Sequence, residues 1–206
     1  MHDSATVMPE LTGERMLQEQ LCTRERADQF YGRQVLDHLN ERMRDFISRQ
    51  EWMFVATSDA RGACDSTLRA GPAGFVAVLG DRRLAWPEYR GNGVMASRGN
   101  IVENPHVGLL FLDFTHDRIG LHVNGRAELV DDDGFRVRHP GLPDDPVPGR
   151  RAEQWVVTEV VEAYIHCAKH IPRLHRHPGD RRHLSPLAAA KKADYFGTLG
   201  SRGLDT

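Results

Sequence analysis

Between Trp52 and Val130 the chain is a succession of short apolar runs, rich in Val, Phe, Leu and Ala and each bounded by Gly, Asp or Arg. Runs this short and this often interrupted read as antiparallel strands joined by tight turns. Met53 to Ser58 is the first strand. Asp59-Ala60-Arg61-Gly62 is its hairpin turn, with Gly62 where positive φ is tolerated. Ala63 to Arg69 returns as the second strand, and Gly71-Pro72-Ala73-Gly74 breaks it. Phe75 to Leu79, a turn over Gly80 to Arg83, and Leu84 to Trp86 make another hairpin. His106 to Asp113 and Ile119 to Val130 add two strands, the second long enough to curve around a barrel. Six strands at close spacing predict a barrel, and Gln154 to Ile165 is a further strand.

Helical texture flanks this region. Leu36, Leu39, Met43, Phe46 and Ile47 recur at helical spacing and predict an amphipathic helix before the core. Met16, Leu17, Leu21, Phe30 and Tyr31 extend the helical arm toward the N-terminus, with a break near Thr23. Such an arm is expected to pack on a partner subunit. Asp131 to Arg151 holds four of the eleven prolines and reads as a surface loop. Ser185 and Pro186 resemble an N-cap and first helical position for a short terminal helix, Leu187 to Phe196. The expected division is therefore a helical arm over 1–50, a barrel over 51–171 carrying the loop 131–152, and a loop with a short helix over 172–206.

With 206 residues there is room for one sizeable core. The 27 basic and 29 acidic side chains balance, which argues against a nucleic-acid partner. No apolar run approaches the roughly 20 residues that span a bilayer, and the first residues lack a secretory pattern; a cytoplasmic location without membrane contact is expected. Cys22, Cys64 and Cys167 are odd in number and widely spaced, so they predict reduced thiols rather than disulfides or a zinc ribbon.

The stretch LAWPEYRGNGVMASRGNIVENPHVGLLFLDF, Leu84 to Phe114, encloses a polar segment between two strands. A helix starting near Asn92 and ending before Pro105 follows from it. Backbone N–H groups at Gly91 and Gly93, beside Arg90 and that helix start, form an electropositive cradle of the kind that binds anions. An ordinary strand-to-helix turn with a solvated Arg90 has the same sequence. Asp65, Ser66 and Thr67 alternate across their strand, so they divide between its two faces.

In this order the segments, from the first hairpin through GPAGF, LAWPEYRGN, NPHVGLLFLDF, GLHVNGRAEL and EAYIHCAKH, resemble the pyridoxamine 5′-phosphate oxidase-like flavin-binding split-barrel family. The flanking helices resemble its bacterial flavin-nucleotide-binding subgroup. The resemblance implies a mainly β fold with flanking helices, a Greek-key FMN-binding split β-barrel, and a homodimer whose two subunits build each site. It implies that Asp65, Ser66, Thr67 and Leu68 run past the flavin ring, with Arg69 on the phosphate or ribityl chain. Leu84, Ala85, Trp86 and Pro87 would flank the ring. Tyr89, Arg90, Gly91, Asn92, Ser97, Arg98 and Asn100 would lie around the phosphate, and Trp155 would reach the partner's flavin.

Two departures shift the implied activity. The oxidase itself carries an Arg-Lys cluster after the fourth strand, where this chain has Tyr89-Arg90-Gly91-Asn92-Gly93 and no lysine. Its C-terminal Arg-x-His substrate segment is not reproduced either. Both argue against vitamin B6 oxidation and for an FMN-dependent oxidoreductase acting on another small molecule. A deazaflavin or haem in the same groove, or a flavin-binding protein without turnover, is the alternative. No catalytic residue is assigned, because the flavin would carry the chemistry.

His166, Cys167, His170, His175, His177 and His183 crowd the segment after the last strand. Their spacing matches no standard zinc pattern, so no metal is expected. Cys167 is expected to be a buried small residue, with Lys169 and His170 at the dimer groove.

Overall fold

The computed structural model describes residues 12–143 and 151–175. Three helices come first: α1 (Thr12–Gln20), α2 (Arg24–Gln34) and α3 (Glu41–Ser48). The strands β1 (Trp52–Ser58), β2 (Cys64–Ala70), β3 (Ala77–Val78) and β4 (Arg83–Tyr89) follow, and α4 (Ala96–Glu103) separates them from β5 (His106–Leu112) and β6 (Gly120–Asp131). A helix, α5 (Asp132–Arg138), precedes the last strand, β7 (Ala152–His166), and a 3₁₀ turn covers Ala168–His170. None of the described helices is long and apolar enough to cross a membrane. The expected helix over Leu187 to Phe196 lies outside the described residues.

All seven strands join one antiparallel sheet in the order β2-β1-β5-β6-β7-β4-β3. The sheet rolls up because its inward faces share one core. Met53 and Val55 of β1, Leu84 and Trp86 of β4, Val123 of β6, and Val156 and Val160 of β7 belong to the same buried cluster. A flat sheet would hold β1 and β4 four strand spacings apart, about 19 Å. Each large side chain buried there contributes about 1.5–3 kcal/mol, which drives closure into a split barrel. Phe46 and Ile47 of α3, with Leu39 just ahead of that helix, plug the same core.

The turns form where local chemistry dictates. Asp59 accepts hydrogen bonds from the N–H groups of Arg61 (2.8 Å) and Ala63 (2.9 Å), while Gly62 takes a φ of +88°. Asp113 closes the β5–β6 connection by accepting from the N–H groups of Thr115, His116 and Asp117.

Several boundaries differ from the sequence expectation. Leu36 is not helical: it exchanges two backbone hydrogen bonds with Ala163 of β7, at 2.9 and 2.7 Å, and Asn40 then caps α3 by accepting from the Met43 N–H. The arm thereby docks on its own barrel, where Phe30 meets Tyr164 edge-on at 6.0 Å. Phe75 and Val76 leave the strand ladder for the core, so β3 has two residues. β4 continues through Pro87, which β7 flanks on one side beyond the end of β3; that edge setting tolerates a proline.

The loop expected over Asp131 to Arg151 contains α5, which covers a second buried cluster of Ala85, Phe135, Leu142, Ala152, Trp155 and Val157. β7 is therefore buried on both faces from Trp155 to Thr158.

Candidate functional site

β2 presents two faces. Asp65, Thr67 and Arg69 are half-buried, whereas Cys64, Ser66, Leu68 and Ala70 are exposed. Ser97, buried on α4, donates its hydroxyl to Asp65 Oδ2 at 2.9 Å, and Asn100 donates to Thr57 Oγ1 of β1 at 3.0 Å. From another face of α4, Arg98 reaches Glu153 Oε2 and Gln154 Oε1, both at 3.1 Å, on β7. The helix thus ties the β1–β2 margin of the barrel to the strand beside β4.

The turn from Arg90 to Met95 is exposed throughout, including Gly91 and Asn92. Asn92 Oδ1 accepts from the Val94 N–H at 3.0 Å, Gly93 has a φ of +84°, and Met95 takes the left-handed conformation. These positive-φ positions delay the helix to Ala96 rather than Asn92. No side chain caps α4, so its first-turn N–H groups keep their donors for an incoming acceptor. Arg90 is exposed where that turn leaves β4 and, among the described residues, has no carboxylate partner.

Sequence reasoning missed a highly connected group beside these residues. Glu88 of β4, 8% exposed, accepts from Arg69 Nε at 2.7 Å and Arg69 Nη2 at 3.1 Å, while Trp86 Nε1 donates to it at 3.0 Å. Arg69 Nη1 also donates to Thr67 Oγ1 at 2.9 Å. The signal was available: a carboxylate between Pro87 and Tyr89 in an apolar strand requires a partner once buried.

Other expected residues lie elsewhere. Leu84, Ala85, Trp86 and Pro87 are buried, which leaves β4 little more than backbone to offer a ring, and Tyr89 is half-buried against the second cluster. Trp155 is fully buried within its own chain, packs on Phe135, and donates its indole N–H to Asp132 Oδ1 at 2.7 Å. Burial pushes the Asp132 carboxyl up, but bonds from Trp155, Arg151 and Arg136 outweigh it and hold it below its usual value. Cys167 is exposed rather than buried.

Elsewhere, His122 stacks on Tyr164 with centroids 4.7 Å apart and meets His166 Nδ1 through Nε2 at 2.8 Å. Among the described residues no group of three or more His, Cys, Asp or Glu is placed to hold a metal. A cleft of about 330 Å³ opens at the start of β1, between Arg49–Trp52 and Leu112–Asp117, and contains none of the residues around α4.

These features define a split-barrel protein whose two margins are bridged by α4. The chain belongs to the pyridoxamine 5′-phosphate oxidase family, whose model matches residues 39–162. Members of that family bind flavin-type cofactors. No curated protein matches the chain. Among solved structures it is similar to HupZ of Group A Streptococcus (19% identity, 66% of this chain and 99% of that one, TM-score 0.46). It is also similar to General Stress Protein 26 of Bacillus anthracis (16% identity, 61% and 91%, TM-score 0.43) and to HutZ, the haem storage protein of Vibrio cholerae (14% identity, 62% and 94%, TM-score 0.41).

Proposed function

We propose that this chain binds FMN at the split between β2 and β4 and serves, as a homodimer, as an oxidoreductase on a small substrate. The observation that carries the reading is the uncapped start of α4, reached from β4 through an exposed turn that opens with Arg90, in a helix held against β2 by the 2.9 Å Ser97–Asp65 bond. Amide donors and a guanidinium are the donor set a phosphate takes. The fit is incomplete, since Arg69 and Arg98 already face the carboxylates of Glu88 and Glu153.

In this reading Arg90 and the α4 amides hold the phosphate, Asn92 shapes the turn, and Asp65 and Asn100 keep the helix in place. The inward residues of β2, Thr67 and Arg69, border the ligand as well, Arg69 at its phosphate or ribityl chain. Bound flavin supplies hydride or electron transfer. The protein's part is to orient it and exclude water. Phe54 and Leu68 are cross-strand partners and both exposed, an apolar pair on the outer sheet face suited to contact with a second copy.

Flavin absorbance of the purified protein, or its appearance on adding FMN, tests the reading; a folded protein that takes up no FMN refutes it. Replacing Arg90 and Asn92 together by Ala is expected to weaken FMN more than riboflavin, and equal losses would remove the phosphate assignment. A monomer that retains stoichiometric flavin would contradict the shared site. Single-turnover mixing of the reduced flavoprotein with oxidants then separates an enzyme from a carrier.

A further inference from the structure

The Arg69–Glu88 pair lies across the split at which the ligand is proposed to bind. Arg69 is the cation that points inward from β2, and Glu88 stands two residues before Arg90 on β4. Side-chain exposures of 23% and 10% place the pair largely out of water, where opposite charges compensate each other most completely. Glu88 takes two donors of the guanidinium and Thr67 a third. An arriving phosphate dianion meets a cation already neutralised and a carboxylate that repels it. A flavin ending in a hydroxyl meets neither obstacle.

We propose that Glu88 is a specificity-determining residue at this split, setting the preference between phosphorylated and unphosphorylated flavin by withholding Arg69 from the phosphate. The proposal rests on the flavin reading above for its ligand, and on the ion-pair geometry for its mechanism. Phosphate capture then falls to Arg90 and the α4 amides alone, so the native protein's preference for FMN over riboflavin is limited to about tenfold. Glu88→Gln keeps an acceptor for the Trp86 indole while releasing the charge on Arg69.

The test measures FMN and riboflavin dissociation constants by flavin fluorescence for the native protein, E88Q and the double variant R69M/E88Q. The native protein is expected to favour FMN by no more than about tenfold, and E88Q to tighten FMN by about tenfold with riboflavin unchanged, as one freed charge-assisted contact allows. The double variant, which removes both charges, should keep the native FMN-to-riboflavin ratio, and it remains informative if E88Q does not fold. Equal changes for both ligands in E88Q, or a tenfold fall of the ratio in the double variant, would overturn the proposal. Inorganic phosphate supplies an arm independent of flavin. If no variant binds either flavin yet phosphate raises the melting temperature of E88Q more than that of the native protein, the flavin reading and the flavin preference fall, and only the withholding of Arg69 from phosphate by Glu88 stands. If phosphate also makes no difference, that withholding falls too.

Discussion

Arg69 and Glu88 sit on strands that occupy the first and sixth positions of the sheet, yet their side chains meet at 2.7 Å. No ladder of backbone hydrogen bonds joins β2 to β4. The ion pair therefore spans the split where the barrel fails to close through its backbone, and α4 spans it again through Asp65 on one side and Gln154 on the other.

Removing one partner strands the other's charge in a poorly hydrated place. Arg69→Met is expected to cost about 3 kcal/mol or more, whereas R69M/E88Q should cost less than either single variant, because the unpaired charge is the larger penalty. Urea unfolding of the four proteins gives the coupling energy. Strictly additive losses would show that the pair does not stabilise the split.

The Asp113 carboxyl couples folding to acid. Burial pushes it up, but the N–H groups of His116, Asp117 and Thr115 and the Thr115 hydroxyl together hold it down at about 2, from the usual 3.8. A depressed carboxyl stabilises the fold fully above 3.8, and the contribution drains away as pH falls toward 2. Asp113→Asn should lower stability by about 2 kcal/mol at neutral pH. The gap between variant and native protein should narrow through that acid window. A gap independent of pH would mean that the loop does not depend on the charge.

His122 gives a second pH dependence with a different origin. Burial first, and then the neighbouring His166, hold its imidazole below the usual 6.5. The fold therefore favours neutral His122: its stabilising share is present above 6.5 and lost as pH falls through the lowered value. His122→Asn should flatten the stability profile on the acid side of 6.5. An unchanged slope would assign the acid sensitivity to other groups. Tyr164, stacked on this imidazole, provides the spectroscopic readout.

How much of this was legible in the sequence depends on the range of each interaction. The β1–β2 hairpin was readable because its determinants, Asp59 and Gly62, lie within four residues of one another. The length of the arm helix was not. Leu36 obeys the helical period, but its backbone is claimed by Ala163, more than a hundred residues away. Apolar periodicity marked Trp155 as a strand residue without saying what covers it, because α5 was hidden in a charged, proline-rich stretch. At the candidate site, the polar segment from Arg90 to Asn100 was found from its glycines and cations. Glu88 was missed because its partner is 19 residues back on a strand that is not its neighbour.

The β6–β7 ladder yields the last prediction, which concerns space rather than charge. Its register shifts between Asn124 and Gly125, and this bulge draws the two backbones so close that a Cβ on Gly125 would lie 2.2 Å from the Glu159 carbonyl oxygen and 2.8 Å from Thr158 Cγ2. Backbone cannot step aside as a side-chain tip can, so Gly125→Ala should destabilise by about 3 kcal/mol. Adjacent Thr158 is fully buried, and among the described residues its hydroxyl is the one buried side-chain polar atom without a hydrogen-bond partner. Thr158→Val removes that cost at nearly constant volume and should raise stability by about 1 kcal/mol. Opposite signs for two neighbouring substitutions, measured by urea unfolding, are the signature of this packing. Destabilisation by Thr158→Val would mean that the hydroxyl has a partner in solution, and a neutral Gly125→Ala would mean that the bulge can open.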